Sequence, residues 1–420
     1  MTATTARTRS GSAPLTPYLR LLTATQCAFN TGFYAVLPYL AAHLGEGGDG
    51  LGMAGWLVGL VLGLRTFSQQ GLFVVGGALT DRYGPRPVVL TGCVLRIAGF
   101  CWLAQAGSTG TVIGAVLLIG FAAALFSPAV ESETARAAVA HETATGTPRA
   151  QVLAVFSAAG QAGAFIGPLL GSLLLLLGGG FRTACLAGAV VFVGVLAGHA
   201  RLMPRRPRRA RTARAGAVLP REVFANRPFL VLCLVYSSYL VSYNQLYLAL
   251  PAEVERATGS QSALGGLFAL SSLLVVVAQL PLTRWAARRV APRTALVGGL
   301  AVVAAGFAVV PLAPGGPAGL LPGAALVVLL TLGQMLLVPA ARGLVPDLVD
   351  DHRLGLATGA LSSLSGVAVL LGSAATGTLL DAPGAVLWTV LAAVPLTGAA
   401  LALTLSGGRR TQGSRTTVTD

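Results

Sequence analysis

The sequence predicts an all-α membrane protein: twelve transmembrane helices in two six-helix bundles, with both termini cytoplasmic. Three observations carry that expectation. The chain is 54% hydrophobic and 10% charged, with 54 glycines. Glycine enrichment beside apolar runs of about 20 residues marks a helical membrane protein rather than a soluble core. The runs are continuous, unlike the short alternating segments of a membrane β-barrel. Finally, the arginines sit almost wholly in connections of one parity, which is how a multi-span chain sets its orientation.

Apolar runs and turn signals place the spans at 19–44, 54–80, 86–106, 110–131, 151–178, 182–203, 229–251, 262–284, 293–313, 319–341, 355–380 and 384–406. Each is long enough to cross about 30 Å of hydrocarbon at about 1.5 Å per residue. An even count puts both ends on one side. Loops, tails and helix ends on that side hold 25 arginines, against Arg182 and Arg256 opposite; Arg65 and Arg96 lie inside spans. That side is cytoplasmic, and the expected location is the cell inner (plasma) membrane. No short apolar core with a cleavage site follows Arg7 and Arg9, so no removable signal peptide is expected. The net charge of +15 reads as a topology signal, not as a nucleic-acid surface.

The expected organisation is an N-terminal tail (1–18), a first bundle (19–203), a basic linker (204–228), a second bundle (229–406) and a C-terminal tail (407–420). From Arg201 to Arg227 the chain carries nine arginines, three prolines and one acid, Glu222. That composition suits lipid headgroups or a crossing between bundles. The halves repeat. Tyr34-Ala-Val-Leu-Pro38 in span 1 is matched by Tyr247-Leu-Ala-Leu-Pro251 in span 7. Span 3 begins Pro85-Arg86 and reaches Gly99-Phe100, and span 9 begins Pro292-Arg293 and reaches Gly306-Phe307 at the same spacing. Arg288 falls where Asp81 stands in the first copy. Duplication of this kind puts a ligand site between the halves, near mid-membrane.

Cys27, Cys93, Cys101, Cys185 and Cys233 all lie in apolar spans, with no Cys-x-x-Cys pair and no His cluster. They read as buried thiols, and no metal or disulfide is expected. No clustered His/Asp set or paired nucleophile and base stands at a membrane face, so an enzyme is not expected.

Between spans 2 and 3 lies Gly77-Ala-Leu-Thr-Asp81-Arg82-Tyr-Gly84-Pro-Arg86. Gly77 is expected to let a helix end against its neighbour, and Gly84 to make the turn. Asp81 is a carboxylate at the edge of hydrocarbon, and Arg82 and Arg86 hold the loop on the cytoplasmic side. Span 5 carries Gly163-x-x-x-Gly167-Pro168-x-x-Gly171, a flat stripe for close helix packing with a bend at Pro168. Gly55, Gly59 and Gly63 in span 2, and Gly355 and Gly359 in span 11, are further small-residue seams, suited to surfaces that rock between two states.

Arg65 and Arg96 are each about 15 Å from the nearer surface, where charge is costly and functional by default. They serve either as structural polar ties or as contacts to substrate or coupling groups. The candidate partners are carbonyls, Gln69, Gln70, tyrosines, a neighbouring acid reached by snorkelling, or an anionic group of the substrate. Arginine holds its proton, so neither is a proton carrier. Glu131 and Glu133 are expected to end span 4. Glu131 either pairs with Arg82 or Arg86, titrates as a proton site, or is a solvated helix end. Gln26, Asn30 and Tyr34 share one face of span 1, and Tyr236, Tyr239, Tyr243 and Tyr247 fall within about 80° on span 7. Such a stripe is ordinarily core packing, but with a ligand site expected between the halves these seven residues are read as lining the substrate cavity, where flat amphipathic rings suit aromatic cargo.

The Gly77–Arg86 loop resembles the Gly-x-Leu-Ala-Asp-Arg-x-Gly-Arg-Arg signature of major facilitator transporters, with Pro85 replacing the first of two basic residues. The span 5 motif resembles the Gly-Pro motif of that family's exporters, mostly proton antiporters, with Ser172 where a second glycine is usual. The run Gly59-Leu-x-Leu-Gly63-Leu-Arg65-x-Phe-x-Gln69-Gln70-Gly71, followed by Arg96-x-Ala-Gly-Phe100, is similar to the family's multidrug-resistance branch. The resemblance implies alternating access, with spans 2 and 11 meeting between the bundles, Asp81 facing the start of span 11, and spans 1 and 7 at a central cavity. It implies efflux of amphipathic small molecules, carboxylate-bearing fluoroquinolone-like compounds included, or else import of a small metabolite. The implied partners are a small-molecule substrate, protons and membrane lipids, with the proton gradient in place of a cofactor and a monomeric chain. Drug antiporters of the family often carry an acid in span 1, and this chain has none there.

Overall fold

Thr16 opens the first helix: its hydroxyl accepts from the Leu19 N–H at 3.3 Å, and Pro17 takes the first turn, where a missing N–H costs nothing. A computed structural model describes residues 14–45, 51–204, 226–312, 319–349, 354–380, 382 and 384–405. Most of the expected N-terminal tail, linker and C-terminal tail lies outside these residues, as does the side chain of Asp81.

The first span is two helices, α1 (Pro17–Tyr34) and α2 (Leu37–Leu44). Pro38 cannot donate to the Tyr34 carbonyl, so the chain breaks at 35–36 and starts again. The second span is likewise split, into α3 (Gly55–Gln70) and α4 (Phe73–Tyr83). Gly84 follows with φ +84°, a value residues with a Cβ rarely adopt. Pro85 then begins α5 (Pro85–Leu103).

A capping box at Ser108 and Thr111 starts α6 (Thr109–Thr145), which runs well past the expected end at 131. The extension is Ala-rich and supported by the Glu133–Arg136 pair, and it stops only at Gly146. Glu131 and Glu133 are therefore inside a helix and do not end one. After α7 (Arg149–Leu176) and α8 (Gly180–Leu202), the second half comprises α9 (Arg227–Thr258), α10 (Ala263–Arg289), α11 (Pro292–Val309), α12 (Leu320–Leu348), α13 (Leu354–Leu379) and α14 (Gly384–Thr404). Among the described residues, eleven helical segments are long and apolar enough to cross a membrane, and α1 with α2 makes the twelfth span. The architecture is all-α.

Within the first half α1 lies along α7, and α5 packs between α6 and α8; within the second, α11 packs on α12 and α14. The halves meet along three seams, α3 on α13, α7 on α10, and α2 on α9. On the first, a Cβ at Gly63 would come within 2.9 Å of the Leu370 Cα, and one at Gly59 within 3.0 Å of the Gly377 Cα. The two backbones touch. The sequence repeat is also visible as contacts. The Arg86 guanidinium donates to the Ala200 carbonyl at 2.6 Å, and Arg293 donates to the Ala402 carbonyl at 3.2 Å.

Candidate functional site

Between the halves, α1 supplies Gln26, Asn30 and Tyr34, all half-buried. The Asn30 amide donates to the Gly160 carbonyl of α7 at 2.8 Å. On α9, Tyr236, Tyr239, Tyr243 and Tyr247 form one ladder of rings with centroids 5.8, 5.9 and 6.1 Å apart, and Phe268 stacks on its end at 5.4 Å. Tyr34 lies within electrostatic reach of Tyr243 and Tyr247, so the two repeated tyrosine positions of the sequence lie near each other across the halves. Tyr236, Tyr239 and Tyr247 are buried and Tyr243 is half-buried, so three of the four tyrosines expected to line the cavity present little open surface. The partly open surface is thus Gln26, Asn30, Tyr34 and Tyr243.

Beside it runs a set of uncharged hydrogen bonds that sequence reasoning missed. Thr66 of α3 donates to the Asn244 side-chain carbonyl at 3.2 Å, and the Asn244 amide donates to Ser373 of α13 at 2.8 Å. Gln245 donates to Thr376 at 3.2 Å. Three helices from both halves are tied at one depth. The available signal was Asn244-Gln245, two amides interrupting an apolar span between the third and fourth tyrosines.

Both buried arginines face the interior of the first half. Arg65 is 6% exposed, bonds Gln69, and lies 4.3 Å from the Phe33 ring centroid. Tyr34 and Tyr247 are within electrostatic reach of it. Arg96 is 1% exposed, donates to the Ile119 carbonyl at 3.2 Å, and is ringed by Phe29, Phe33, Phe100 and Phe192 at 4.8 to 5.3 Å. Cation–π attraction of this kind contributes about 2 kcal/mol or more when desolvated. The glutamine and carbonyl ties are among those the sequence allowed; the phenylalanine faces were not foreseen, because phenylalanines in apolar spans look like any core.

At the outer end, the glycines of α7 face α1, where a Cβ at Gly163, Gly167 or Gly171 would collide with Cys27, Thr31 or Ala35. The next face of the same helix meets the other half. Ser172 is hydrogen-bonded to the Tyr39 hydroxyl at 2.7 Å, donates to the Ser262 carbonyl at 3.0 Å, and accepts from the Gly265 N–H at 3.2 Å. Tyr39 also reaches the Pro168 carbonyl at 2.7 Å. The departure from glycine at 172 therefore ties spans 1, 5 and 8. An outer cavity of about 320 Å³ adjoins it, lined by Tyr39, His43, Phe181, Glu255, Gln261 and Ser262 among others.

At the inner end, Gly84 makes the turn but Gly77 does not make the close contact. Its neighbour Gly76 does, with its Cβ position 2.8 Å from the Ala124 carbonyl carbon, while a Cβ at Gly77 meets open space. The break at Gly71–Leu72 changes the phase of α4, which is why the expected register was off by one. Arg82 is exposed over Tyr83, and Arg86 is held by Ala200, so neither pairs with Glu131 as one expectation had it. Glu131 is exposed and within electrostatic reach of Arg342 from the other half. Among the described residues the fully buried acid is Glu133, which accepts from Tyr18 at 3.0 Å and pairs with Arg136 at 2.7 Å.

The sequence matches the Major Facilitator Superfamily over residues 20–328 and 232–418. The chain belongs to that family. An uncharacterized MFS-type transporter of Mycobacterium tuberculosis is 38% identical over 377 residues, 86% of each chain. The multidrug resistance protein MdtH of Aeromonas hydrophila is 31% identical over 344 residues, covering 80% of this chain and 83% of its own length. Among solved structures, the nucleoside transporter NupG (TM-score 0.76, 13% identity, 92% of this chain and 98% of that one) shares the fold. So does a POT family transporter in complex with 5-aminolevulinic acid (TM-score 0.76, 13% identity, 92% and 95%). As a major facilitator protein the chain is a multi-pass secondary transporter of the cell membrane, not an enzyme, and its substrate is a small molecule.

Proposed function

We propose that this major facilitator transporter exports amphipathic small molecules by alternating access, driven by the proton gradient. The observation that carries the reading is the partly open surface between the halves. Gln26, Asn30, Tyr34 and Tyr243 make it polar but uncharged, with flat rings that suit aromatic cargo and no formal charge to fix a single substrate. Support comes from the 31% identity to multidrug resistance protein MdtH and from Gly163, Gly167, Pro168 and Gly171 on α7. The outer seams through Gly59, Gly63 and Ser172 bring the halves together at one end, as a state closed to the outside requires. In this reading Asp81 works the inner gate, and Glu131, exposed opposite Arg342, carries the coupled proton.

The test is uptake of a carboxylate-bearing fluoroquinolone, and of a panel of amphipathic dyes, into energised inverted vesicles with and without a protonophore. Protonophore-sensitive uptake by the wild type, lost in Asp81→Asn and in Glu131→Gln, is the expected result. A wild type that moves none of the panel, or moves it equally after uncoupling, overturns the proposal.

A further inference from the structure

The outer cavity of about 320 Å³ is walled by both halves. The first contributes Tyr39, Ala42 and His43 of α2 and Phe181 of α8; the second contributes Glu255 of α9 and Gln261 of the connection to α10. None of Gln26, Asn30, Tyr34 or Tyr243 lines it, so it is separate from the tyrosine surface deeper between the halves. The two walls differ in chemistry. The His43 ring lies flat on Phe181, with centroids 4.2 Å apart and planes 17° apart, and with Tyr39 these rings give the first half an aromatic wall. The second half supplies a half-buried carboxylate. The Gln261 amide donates to Oε2 of Glu255 at 2.8 Å, and no described residue engages Oε1. His43 and Glu255 line one space without an ion pair between them.

The arginines of the outer side do not neutralise Glu255. Arg256, next to it in the chain, engages both oxygens of Glu253, and Arg182 is exposed and forms no part of the cavity wall. With imidazole neutral, Glu255 is the one formal charge on the described wall. Aromatic faces attract organic cations, and a carboxylate oxygen without a partner accepts a charge-assisted hydrogen bond from an ammonium. The volume is at the lower end of small-molecule pockets, which begin at about 300 Å³, so it suits a compound of one ring. We propose that the outer cavity binds a single-ring aromatic amine in its ammonium form, the cationic end at Glu255 and the ring against the wall of Tyr39, His43 and Phe181. Rings and carboxylate belong to different halves. Beside them Ser172 joins the halves by donating to the carbonyl of Ser262, itself a wall residue. Parting the halves at the outer end takes the site apart, so the bound amine holds that end closed, and the closed state in turn binds the amine more tightly. The site does not depend on the cargo or on the direction of transport.

The experiment uses the purified full chain in detergent at pH 8, above the ordinary imidazole pKa of about 6.5. Thermal unfolding is followed while 2-phenylethylamine is titrated in, with neutral 2-phenylethanol and anionic phenylacetate as probes of matched size. Spin labels across the outer mouth report its width in the same samples. The expected result is a saturable rise in the unfolding midpoint with the amine alone, together with growth of the short-distance component. Glu255→Gln removes the charge and weakens the amine's apparent affinity by about tenfold or more, as loss of one charge-assisted contact does. Ala42→Phe fills the cavity from the other half while leaving Glu255 in place, and it abolishes the amine response; it decides the matter if the first variant does not fold. A wild type that does not respond to the amine, or responds equally to the alcohol or the acid, overturns the proposal. So does growth of the long-distance component, or a response undiminished in a variant that folds.

Discussion

Arg96 on α5 and Val303 on α11 occupy matching places in the two halves, on the spacing that relates Pro85 to Pro292 and Gly99 to Gly306. On the same spacing Arg65 corresponds to Ser272. The surroundings differ as the residues do. In the first half, rings from α1, α5 and α8 enclose Arg96, and stacking continues between Phe29 and Phe126 at 5.1 Å. In the second half Val303 is fully buried, and the counterpart of Phe100, Phe307, stacks on Trp388 at 6.2 Å. One duplicated scaffold thus holds an apolar interior in one copy and a caged pair of charges in the other. A charge at this depth depends on the cage built for it, and the helix bundle alone does not supply that.

The largest effect that follows is for Val303→Arg. The new guanidinium enters a fully buried site without four rings around it, at a cost of about 3–5 kcal/mol, comparable to leaving a buried charge unpaired. The expected outcome is loss of monodisperse protein on size-exclusion chromatography of a fluorescent fusion. Normal yield would mean the bundle tolerates the charge without a cage, and the contrast between the halves would fall.

Next in size is the pair Gly76→Ala and Gly77→Ala on α4. A Cβ at Gly76 meets the Ala124 backbone, which cannot step aside as a flexible side chain would, so a loss of about 1–3 kcal/mol is expected. At Gly77 the Cβ meets open space, and alanine in a helix interior contributes up to about 1 kcal/mol relative to glycine. Opposite shifts of the unfolding midpoint are the expected result. Equal shifts would return the close contact to Gly77.

Ser172→Ala tests the outer seam between α7 and α10. The hydroxyl bonds Tyr39 and the backbone of α10 at Ser262 and Gly265. Its loss is expected to cost about 1–2 kcal/mol, since the buried Gly265 N–H loses its acceptor and the part-buried Ser262 carbonyl loses a donor. The cost falls on the closed outer end alone, so the population shifts toward opening there. Spin labels across the outer mouth should show a longer-distance component in the variant. An unchanged distance distribution would make Ser172 a filler and not a latch.

These cases show what the sequence made legible. Twelve spans, their orientation and the repeat were readable, because hydrophobic length, arginine placement and matched spacing are local signals. Gly84 was readable because the turn it makes is local too. The register of Gly76 against Gly77 was hidden by the break at Gly71–Leu72, which shifts the face that α4 presents. The cage around Arg96 was hidden for another reason: Phe29, Phe33, Phe100 and Phe192 come from three spans, and nothing local distinguishes a ring that faces a cation from one that faces lipid. Ser172 looked like a small departure from a glycine motif, and its meaning lies in α10, ninety positions later.

The smallest effect belongs to the contact the two halves share. Arg86 and Arg293 each begin a span and donate to a carbonyl near the end of the last span of their own half. The Arg86 contact is shorter but exposed, and the Arg293 contact is longer but part-buried. Exposure weakens a charged hydrogen bond through solvent screening, so the two are expected to be worth similar amounts, about 0.5–1 kcal/mol each. Arg86→Met and Arg293→Met should lower the unfolding midpoint slightly and about equally. Because each contact closes within its own half, the double variant should equal the two single effects added, within about 0.5 kcal/mol. A larger combined loss would mean that the halves are coupled through their cytoplasmic ends as well as through the seams at α3–α13, α7–α10 and α2–α9, and that the two copies do not unfold as separate bundles.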